Sequence, residues 1–401
     1  MSRIALLTVG ACVVAGTVGC SAAGQSSSEK DGRTVYIGAM FDLTGPFAPV
    51  GTAERQAFTL AVAQAERDTG IRVRTRVEDS RTSPDTAVKI TREFLRDKVS
   101  AIVGPTPTQL CDPAHRLTDA SRTPMFCITP FPEKTTPSLF LVDAPRVTLV
   151  GDVPARFMQK RGWRRVACIY TADAGGKGYA DAINQAAPKY GLKVVASESF
   201  QQGDTDLTAQ LTKIRAAKPD VVYSCSSGAN LIAVLKGMAQ LRMAQPVFAG
   251  HASVNYDIAH LAAPNLPPGG LFSDASPVLI PDQVPSGMAG AAKAKQFADA
   301  YVKAHGGKRP DTVAGYVADT VAIIAQAAKA AGSTDRKSLA RQIEKTCGYE
   351  GVLGRYCFSP ANHRGLASES NMIVRWTPTG TFTLTEVLSS QNAPAPSPSA
   401  G

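Results

Sequence analysis

Short apolar runs alternate with amphipathic stretches along most of this chain, beginning at Thr34. The first apolar runs have the composition of strands: residues 35–41, 71–77, 100–103 and 124–128. The stretches between them repeat apolar side chains at helical spacing: residues 51–67, 84–97 and 109–120. Runs such as Ala101-Ile102-Val103 have no polar alternation, which is typical of parallel strands buried on both faces. The pattern predicts an α/β fold built on a doubly wound parallel sheet.

The same rhythm starts again near residue 147. It predicts further strands at 165–170, 193–197, 220–224 and 246–249, and further helices at 147–160, 177–190, 206–216 and 230–241. A second series of this kind indicates two similar α/β lobes rather than one long sheet. The last third predicts three Ala-rich helices and two closing strands: 290–305, 312–331, 336–345, 372–376 and 382–387.

Ligands of open α/β sheets bind at the carboxyl ends of the strands. The loops that follow the predicted strands are therefore the candidate binding site: residues 42–51, 104–108, 129–133, 171–178, 225–228 and 250–255. Backbone N–H groups at the starts of the following helices favour anions such as a carboxylate.

The first residues form a different kind of segment. Arg3 precedes an uncharged apolar run from Ile4 to Val18, and Gly19 and Cys20 follow. This run is too short for a membrane span and has the features of a secretory signal. Its Val-Gly-Cys ending resembles a bacterial lipobox, which implies removal of residues 1–19 and lipidation of Cys20; the alternative is an ordinary signal peptide. We expect residues 20–33 to be a flexible tether, and the Pro/Ala/Ser-rich residues 388–401 to be disordered.

Composition narrows the possible functions. The net charge of +10 is dispersed along the chain, so we expect no nucleic-acid partner.

Six cysteines follow Cys20, and an even number in an oxidising compartment suggests disulfides. Cys347 with Cys357 brackets a turn and is the first predicted pair; Cys111 with Cys127 is the second. The sequence contains no CxxC, Gly-x-Ser-x-Gly or His-Glu-x-x-His pattern, so we expect no enzyme activity, no metal and no cofactor.

Several segments resemble one known family in collinear order. They are Ile37-Gly38-Ala39-Met40-Phe41-Asp42-Leu43-Thr44-Gly45-Pro46, Ala101-Ile102-Val103-Gly104-Pro105-Thr106, Gly162-Trp163-Arg164-Arg165-Val166 and Lys218-Pro219-Asp220-Val221-Val222. The chain resembles the branched-chain amino-acid type of periplasmic binding protein over nearly its whole body. The resemblance implies a type I binding fold with two lobes, three hinge crossings and a ligand clamped between the lobes. The expected bounds are 34–144 with 276–346 for lobe 1, and 145–275 with 347–387 for lobe 2.

The resemblance also implies ligand-binding positions. Thr108 stands where the family places a ligand hydroxyl, and Thr129 could supply the next one. Val50 replaces the aromatic residue that usually covers the ligand, and no acid lies at residues 250–253 to meet an ammonium group. Because an unpaired buried ammonium is costly, these departures favour a carboxylate, amide or aromatic ligand over a standard α-amino acid.

Further candidates come from the same loops. Phe131 and Tyr170 could form an apolar wall, while Ser227 and His251 could donate hydrogen bonds to a ligand. Three of the six candidates have a structural alternative: Thr108 as a helix N-cap, Thr129 as a turn residue, and His251 as a loop histidine bonded to backbone.

Taken together, the sequence predicts an exported, membrane-anchored lipoprotein that faces the extracytoplasmic space and passes a small ligand to an ABC permease. Two other classes stay open. One is a sensory receptor of the same fold, and the other is an exported enzyme on a two-lobed scaffold; Leu/Ile/Val binding is the alternative ligand class.

Overall fold

The computed structural model describes residues 34–45, 47–128, 136–143, 147–226, 228, 230–366 and 370–389. The predicted signal peptide, Cys20 and the tether lie outside these residues, as do positions 390–401 of the predicted disordered tail. None of the helices within the described ranges combines the length and the apolar character needed to cross a membrane.

The first sheet contains five parallel strands. They are β1 (Thr34–Phe41), β2 (Arg72–Asp79), β3 (Ala101–Val103), β4 (Met125–Phe126) and β5 (Leu139–Phe140), in the order β2-β1-β3-β4-β5. Three helices alternate with these strands: α1 (Ala48–Thr69), α2 (Pro84–Arg96) and α3 (Thr108–Asp119).

The chain then forms a second strand–helix series. Its strands are β6 (Arg165–Thr171), β7 (Lys193–Phe200), β8 (Val221–Cys225), β9 (Val247–Ala249) and β10 (Leu271–Ala275). Its helices are α4 (Val153–Lys160), α5 (Ala174–Ala186), α6 (Thr208–Ala216), α7 (Asn230–Gln240) and α8 (Tyr256–Ala262). Residues 147–152 form a π-helix that leads into α4. The predicted helix 147–160 is thus two segments, and the proline in the first turn of α4 has no N–H to continue a regular ladder.

The last part of the chain returns to the first sheet and then to the second. Its elements are α9 (Ala291–Ala304), α10 (Thr312–Ala331), α11 (Arg336–Ile343), a hairpin of β11 (Cys347–Glu350) and β12 (Arg355–Cys357), β13 (Ser370–Trp376) and β14 (Phe382–Ser389). The second sheet has the order β14-β13-β10-β9-β8-β6-β7; β13 and β14 are antiparallel and the other neighbours are parallel. Strand β14 extends two residues into the predicted disordered tail.

Apolar side chains cover both faces of both sheets. On the first sheet, one face packs Phe41 against Phe58 of α1 and Val321 of α10, and the opposite face packs Ile102 against Phe94 of α2. The second sheet has a core on each face as well. Two doubly wound α/β layers are therefore present, as the alternation predicts.

Local sequence explains where several helices begin and end. The Asp311 side chain accepts a hydrogen bond from the Ala314 N–H at the start of α10, and the Asp173 side chain accepts one from Gly176 at the start of α5. Helix α1 ends at Gly70 and α10 ends at Gly332, both in the left-handed conformation that glycine adopts readily.

The last crossing between the sheets lies later than the sequence suggests. We predicted that the chain enters lobe 2 at Cys347, yet Tyr356 and Phe358 pack into the core of the first sheet. Farther along, the Leu141 N–H donates to the His363 carbonyl at 2.9 Å, so this segment still follows the edge of the first sheet. The domain bounds as a whole stay a prediction, and this packing favours a crossing after Leu366.

Candidate functional site

Both predicted disulfides are present. Cys111 bonds to Cys127 and Cys347 bonds to Cys357. The first of these ties the opening turn of α3 to the chain just after β4, so it fixes the start of α3 at the carboxyl edge of the first sheet. Thr108 is the first residue of that helix and is half-buried.

The carboxyl ends of the parallel strands carry a group of buried polar side chains. In the second sheet, His251 lies two residues after the end of β9, and Asp274 lies near the end of the neighbouring β10. In the first half of the molecule, Asp42 follows β1 and Thr106 lies in the loop after β3. This is the edge at which open α/β sheets bind ligands.

A chain of hydrogen bonds centred on His251 joins the two halves. The His251 Nδ1 bonds to the Asp274 carboxylate, and the Nε2 lies 2.9 Å from the Tyr316 hydroxyl. Tyr316 belongs to α10, whose residues pack in the core of the first sheet. Asp274 and Tyr316 are both buried, so the chain crosses between the halves away from solvent.

The charge of the His251 ring depends on its neighbours. Burial alone would lower the pKa of His251, but the Asp274 carboxylate, with a smaller contribution from Asp143, raises that pKa above its usual value. A raised pKa favours the protonated ring, which pairs with Asp274. Next to it, the Ala252 N–H donates to the Tyr179 hydroxyl at 3.2 Å, and burial raises the pKa of Tyr179 so that this phenol stays neutral.

A buried ion pair lies where the chain leaves the first sheet. The Arg364 guanidinium donates to the Asp143 carboxylate at 2.6 Å, and both side chains are almost completely buried. The other Asp143 oxygen is buried without a hydrogen-bond partner. Burial raises the pKa of Asp143 to about 7, and the attraction of Arg364 and His251 opposes that rise only in part.

A second buried acid lies near the end of the first sheet. One Glu54 oxygen accepts a hydrogen bond from the Thr106 hydroxyl, while the other is buried and has no partner. Burial raises the pKa of Glu54 from 4.5 to about 8; Thr106 lowers it in part, and the acids Asp42 and Asp311 raise it further. Glu54 is therefore mostly a neutral carboxylic acid at neutral pH.

The described residues include three of the six predicted ligand-binding positions. Thr108 opens α3 in the helical first position, and Pro107 occupies the N-cap. Tyr170 is half-buried and packs on the core of the second sheet. The His251 ring bonds to Asp274 and Tyr316 rather than to backbone. Thr129, Phe131 and Ser227 lie outside the described residues, and all six assignments stay predictions.

Sequence reasoning missed the acid that faces His251. The sequence has no acid at residues 250–253, and the acid that bonds to His251 is Asp274, which comes from the next strand. The segment Leu271–Ala275 directly follows Pro267-Pro268-Gly269-Gly270, a loop signal that hid the short strand. Asp274 could have been identified as an acid near the carboxyl end of a strand next to β9.

Among the described residues, no group of three or more His, Cys, Asp or Glu side chains is arranged to hold a metal ion.

The chain matches the profile of a family described as periplasmic binding protein over residues 34–381. A Leu/Ile/Val-binding protein homolog 3 of Brucella melitensis is 28% identical over 201 residues, covering 47% of this chain and 53% of the relative, so that match spans only about half of the relative's length. A Leu/Ile/Val-binding protein homolog 1 of Brucella suis is 23% identical over 332 residues, covering 80% of this chain and 85% of the relative.

Solved structures share the fold. An extracellular ligand-binding receptor from Rhodopseudomonas palustris superposes with a TM-score of 0.78 at 23% identity, covering 88% of this chain and 99% of that one. A branched-chain amino acid transporter substrate binding protein from Streptococcus pneumoniae, solved with isoleucine, gives a TM-score of 0.76 at 23% identity, covering 89% and 99%. At these identities the likeness extends to the fold.

Proposed function

The chain belongs to the periplasmic binding protein family, of the Leu/Ile/Val-binding type, and from that premise we propose that it captures a small molecule outside the cytoplasm and delivers it to an ABC importer. The observation that carries this proposal is the hydrogen-bonded chain Asp274–His251–Tyr316, which spans from the second sheet to a helix of the first half. It lies at the carboxyl ends of the strands, where a ligand would touch both halves.

Capture proceeds by hinge closure in this account. A ligand that contacts both halves binds the closed arrangement more tightly than the open one and so shifts the population toward it. The buried Asp143–Arg364 pair joins the two residues that precede the proposed crossings, and it would hold them together during that motion. The importer's permease then recognises the closed form, and the binding protein itself performs no chemical step.

The proposed ligand is a carboxylate, an amide or an aromatic compound rather than a standard α-amino acid. Asp274 is already hydrogen-bonded to His251, so a ligand ammonium would have to compete with that ring for the carboxylate. Glu54 is neutral near pH 7 because burial raises its pKa to about 8. A buried ammonium without an ionised partner costs several kcal/mol, on the order of 3–5.

The predicted ligand-binding positions supply the proposed donors for a ligand carboxylate or amide. The Thr108 hydroxyl and the first N–H groups of α3 lie at one edge, and Thr129 and Ser227 would add further polar contacts. Both ring nitrogens of His251 are engaged, so His251 would bond to a ligand by exchanging its bond to Tyr316. Phe131 and Tyr170 would contact the apolar part of the ligand.

Leu/Ile/Val binding is the second candidate. The names of the relatives point to it, and Asp274 places a carboxylate in the second half of the site. If the Asp274 carboxylate left His251 to meet a ligand ammonium, a branched-chain amino acid would fit the family's usual mode.

We further propose export and lipid anchoring at Cys20, since the apolar run Ile4 to Val18 ends in Val-Gly-Cys and the family acts outside the cytoplasm. A Cys20→Ala substitution should release the protein from the membrane fraction into the medium or periplasm, as immunoblotting of cell fractions would show. Unchanged partition into the membrane would contradict the anchor.

The ligand class is tested by thermal-shift screening of the exported chain. The panel contains leucine, isoleucine and valine, the des-amino carboxylates of these amino acids, the amides of those carboxylates, and aromatic acids. We expect des-amino carboxylates, amides or aromatic acids to raise the melting temperature at micromolar concentration. A rise with leucine, isoleucine or valine alone would select the second candidate. Uptake of a labelled hit by cells with and without the gene separates transport from sensing.

A further inference from the structure

Two buried cysteines face each other on neighbouring strands of the second sheet. Cys168 lies on β6 and Cys225 ends β8, and these strands are parallel neighbours in which Cys168 is paired with Tyr223 and Tyr170 with Cys225. The two cysteines are therefore offset by two residues, so their side chains point to the same face of the sheet. Both are completely buried in the same core.

The distance between the two sulfur atoms is too short for separate thiols. They lie 2.7 Å apart. Non-bonded carbon atoms settle about 3.5–4.0 Å apart, and sulfur is the larger atom, whereas a sulfur–sulfur bond is about 2.05 Å long. Two thiols held at this separation would repel each other, and a small movement would bring them to bonding distance. We propose that Cys168 and Cys225 form a third disulfide, which crosslinks β6 to β8.

The bond forms by thiol–disulfide exchange. One cysteine, as its thiolate, attacks an external disulfide, either a small-molecule disulfide or an extracytoplasmic oxidoreductase, and displaces one of its thiols. The second cysteine then loses its proton and attacks the mixed disulfide, which releases the other external thiol. Two protons and two electrons thus leave the pair, and the external disulfide is reduced to two thiols.

The exchange takes place before the sheet is complete. In the folded chain both thiols are buried, and burial raises the pKa of Cys225 far above its usual value, so the thiolate is hardly populated. Cysteines that are buried as thiols react slowly for the same reason. Oxidation during export, while β6 and β8 still open to solvent, is the route that this burial allows.

The crosslink would lie directly beneath the candidate binding site. Cys168 is two residues before Tyr170, and Cys225 precedes Ser226, whose carbonyl accepts a hydrogen bond from the Ser253 hydroxyl at 2.8 Å. Ser227 and His251 belong to the same two loops. A bond between β6 and β8 would therefore fix the strand ends that carry the second half's binding loops.

Peptide mapping of the exported chain tests the bond. The protein is denatured without reductant, alkylated with iodoacetamide, digested with trypsin and measured by mass spectrometry. We expect residues 166–177, which contain Cys168, to be found linked to residues 216–236, which contain Cys225. The Cys111–Cys127 peptide pair in the same digest is the internal control. Alkylated Cys168 and Cys225 peptides alongside the intact control pair would overturn the proposal.

A single substitution supplies a second measurement. Cys225→Ala should convert Cys168 from unreactive to stoichiometrically alkylated in the denatured, unreduced protein, one label per chain more than the parent. If Cys168 and Cys225 are separate thiols, the parent instead carries two labels and the variant one, and that reversed order contradicts the disulfide. The count is made after denaturation, so it does not depend on whether the variant folds.

Discussion

His251 is the residue at which the two halves of the molecule meet. Its ring pairs with Asp274 on one side and reaches the Tyr316 hydroxyl on the other. The sequence pointed to His251 because a histidine follows a strand that ends at the candidate cleft. It could not reveal the partners, because Tyr316 lies 65 residues away and its approach depends on how α10 packs.

Tyr316→Phe should weaken ligand binding while leaving the fold intact. The change removes one hydrogen bond between the halves, worth about 1 kcal/mol, so we expect an affinity loss of about fivefold for whichever panel compound binds. Tyr301→Phe is the matched control, because its hydroxyl bonds to Gln56 within the first half. Calorimetric titration checks both variants. Equal affinities for the parent and Tyr316→Phe would contradict a role for this contact in closure.

Glu54 makes stability depend on pH. Its pKa is raised from 4.5 to about 8 in the folded chain, so between these values the unfolded chain loses the proton first. The folded chain then binds more protons, and the free energy of unfolding must fall as pH rises through this window. Below the unfolded pKa the two states are equally protonated, and the effect disappears.

Glu54→Gln should flatten that dependence. The amide keeps the shape and the contact with Thr106 but does not ionise, so the variant should gain stability relative to the parent at about pH 8 and not at about pH 5. Urea unfolding at both pH values measures the difference, and Asp181→Asn, an exposed acid on α5, is the control. The same pH slope in the parent and the Glu54→Gln variant would contradict the raised pKa.

At the scale of elements, regular periodicity was sufficient to predict most helices and strands. Helices such as α2 and α10 have capping residues and apolar faces that the sequence displays directly. The short strands β5 and β10 were not predicted. Each has only two to five residues, too few to show a hydrophobic period, and each forms a strand through pairing with its neighbours. The position of the β11–β12 hairpin depends on its packing in the core of the first sheet. A local sequence pattern does not predict such packing.

The Asp143–Arg364 ion pair should contribute to the free energy of unfolding. Arg364→Met would leave Asp143 buried without its cation, a change that costs about 3–5 kcal/mol in other proteins. The loss should be smaller at acidic pH, because the raised pKa of about 7 lets Asp143 take up a proton there. Urea unfolding at about pH 5 and pH 8 measures this.

A double substitution distinguishes the effect of the lost ion pair from the effect of the lost Arg364 side-chain packing. Asp143→Asn combined with Arg364→Met removes both charges, so it should recover part of the stability that Arg364→Met loses at about pH 8. If the double variant is as unstable as the single one, the lost packing of Arg364, rather than an uncompensated Asp143 charge, accounts for the effect.

For the molecule as a whole, the two doubly wound sheets and the family could be inferred from the sequence, because the strand–helix rhythm restarts and the family's segments keep their order. The polar composition of the cleft could not be inferred in the same way. Asp274, Tyr316 and Glu54 reach their places from three distant elements, and only the assembled fold shows that the acid of the second half is already paired with His251.

We propose that the two halves close on a ligand without an ammonium group. Calorimetric titration of the exported chain compares two matched pairs: 4-methylpentanoate with leucine, and 3-phenylpropanoate with phenylalanine. We expect at least one des-amino acid to bind with micromolar Kd and its α-amino partner to bind about tenfold more weakly, a difference of about 1.4 kcal/mol. Tighter binding of the α-amino acid in either pair would contradict the account.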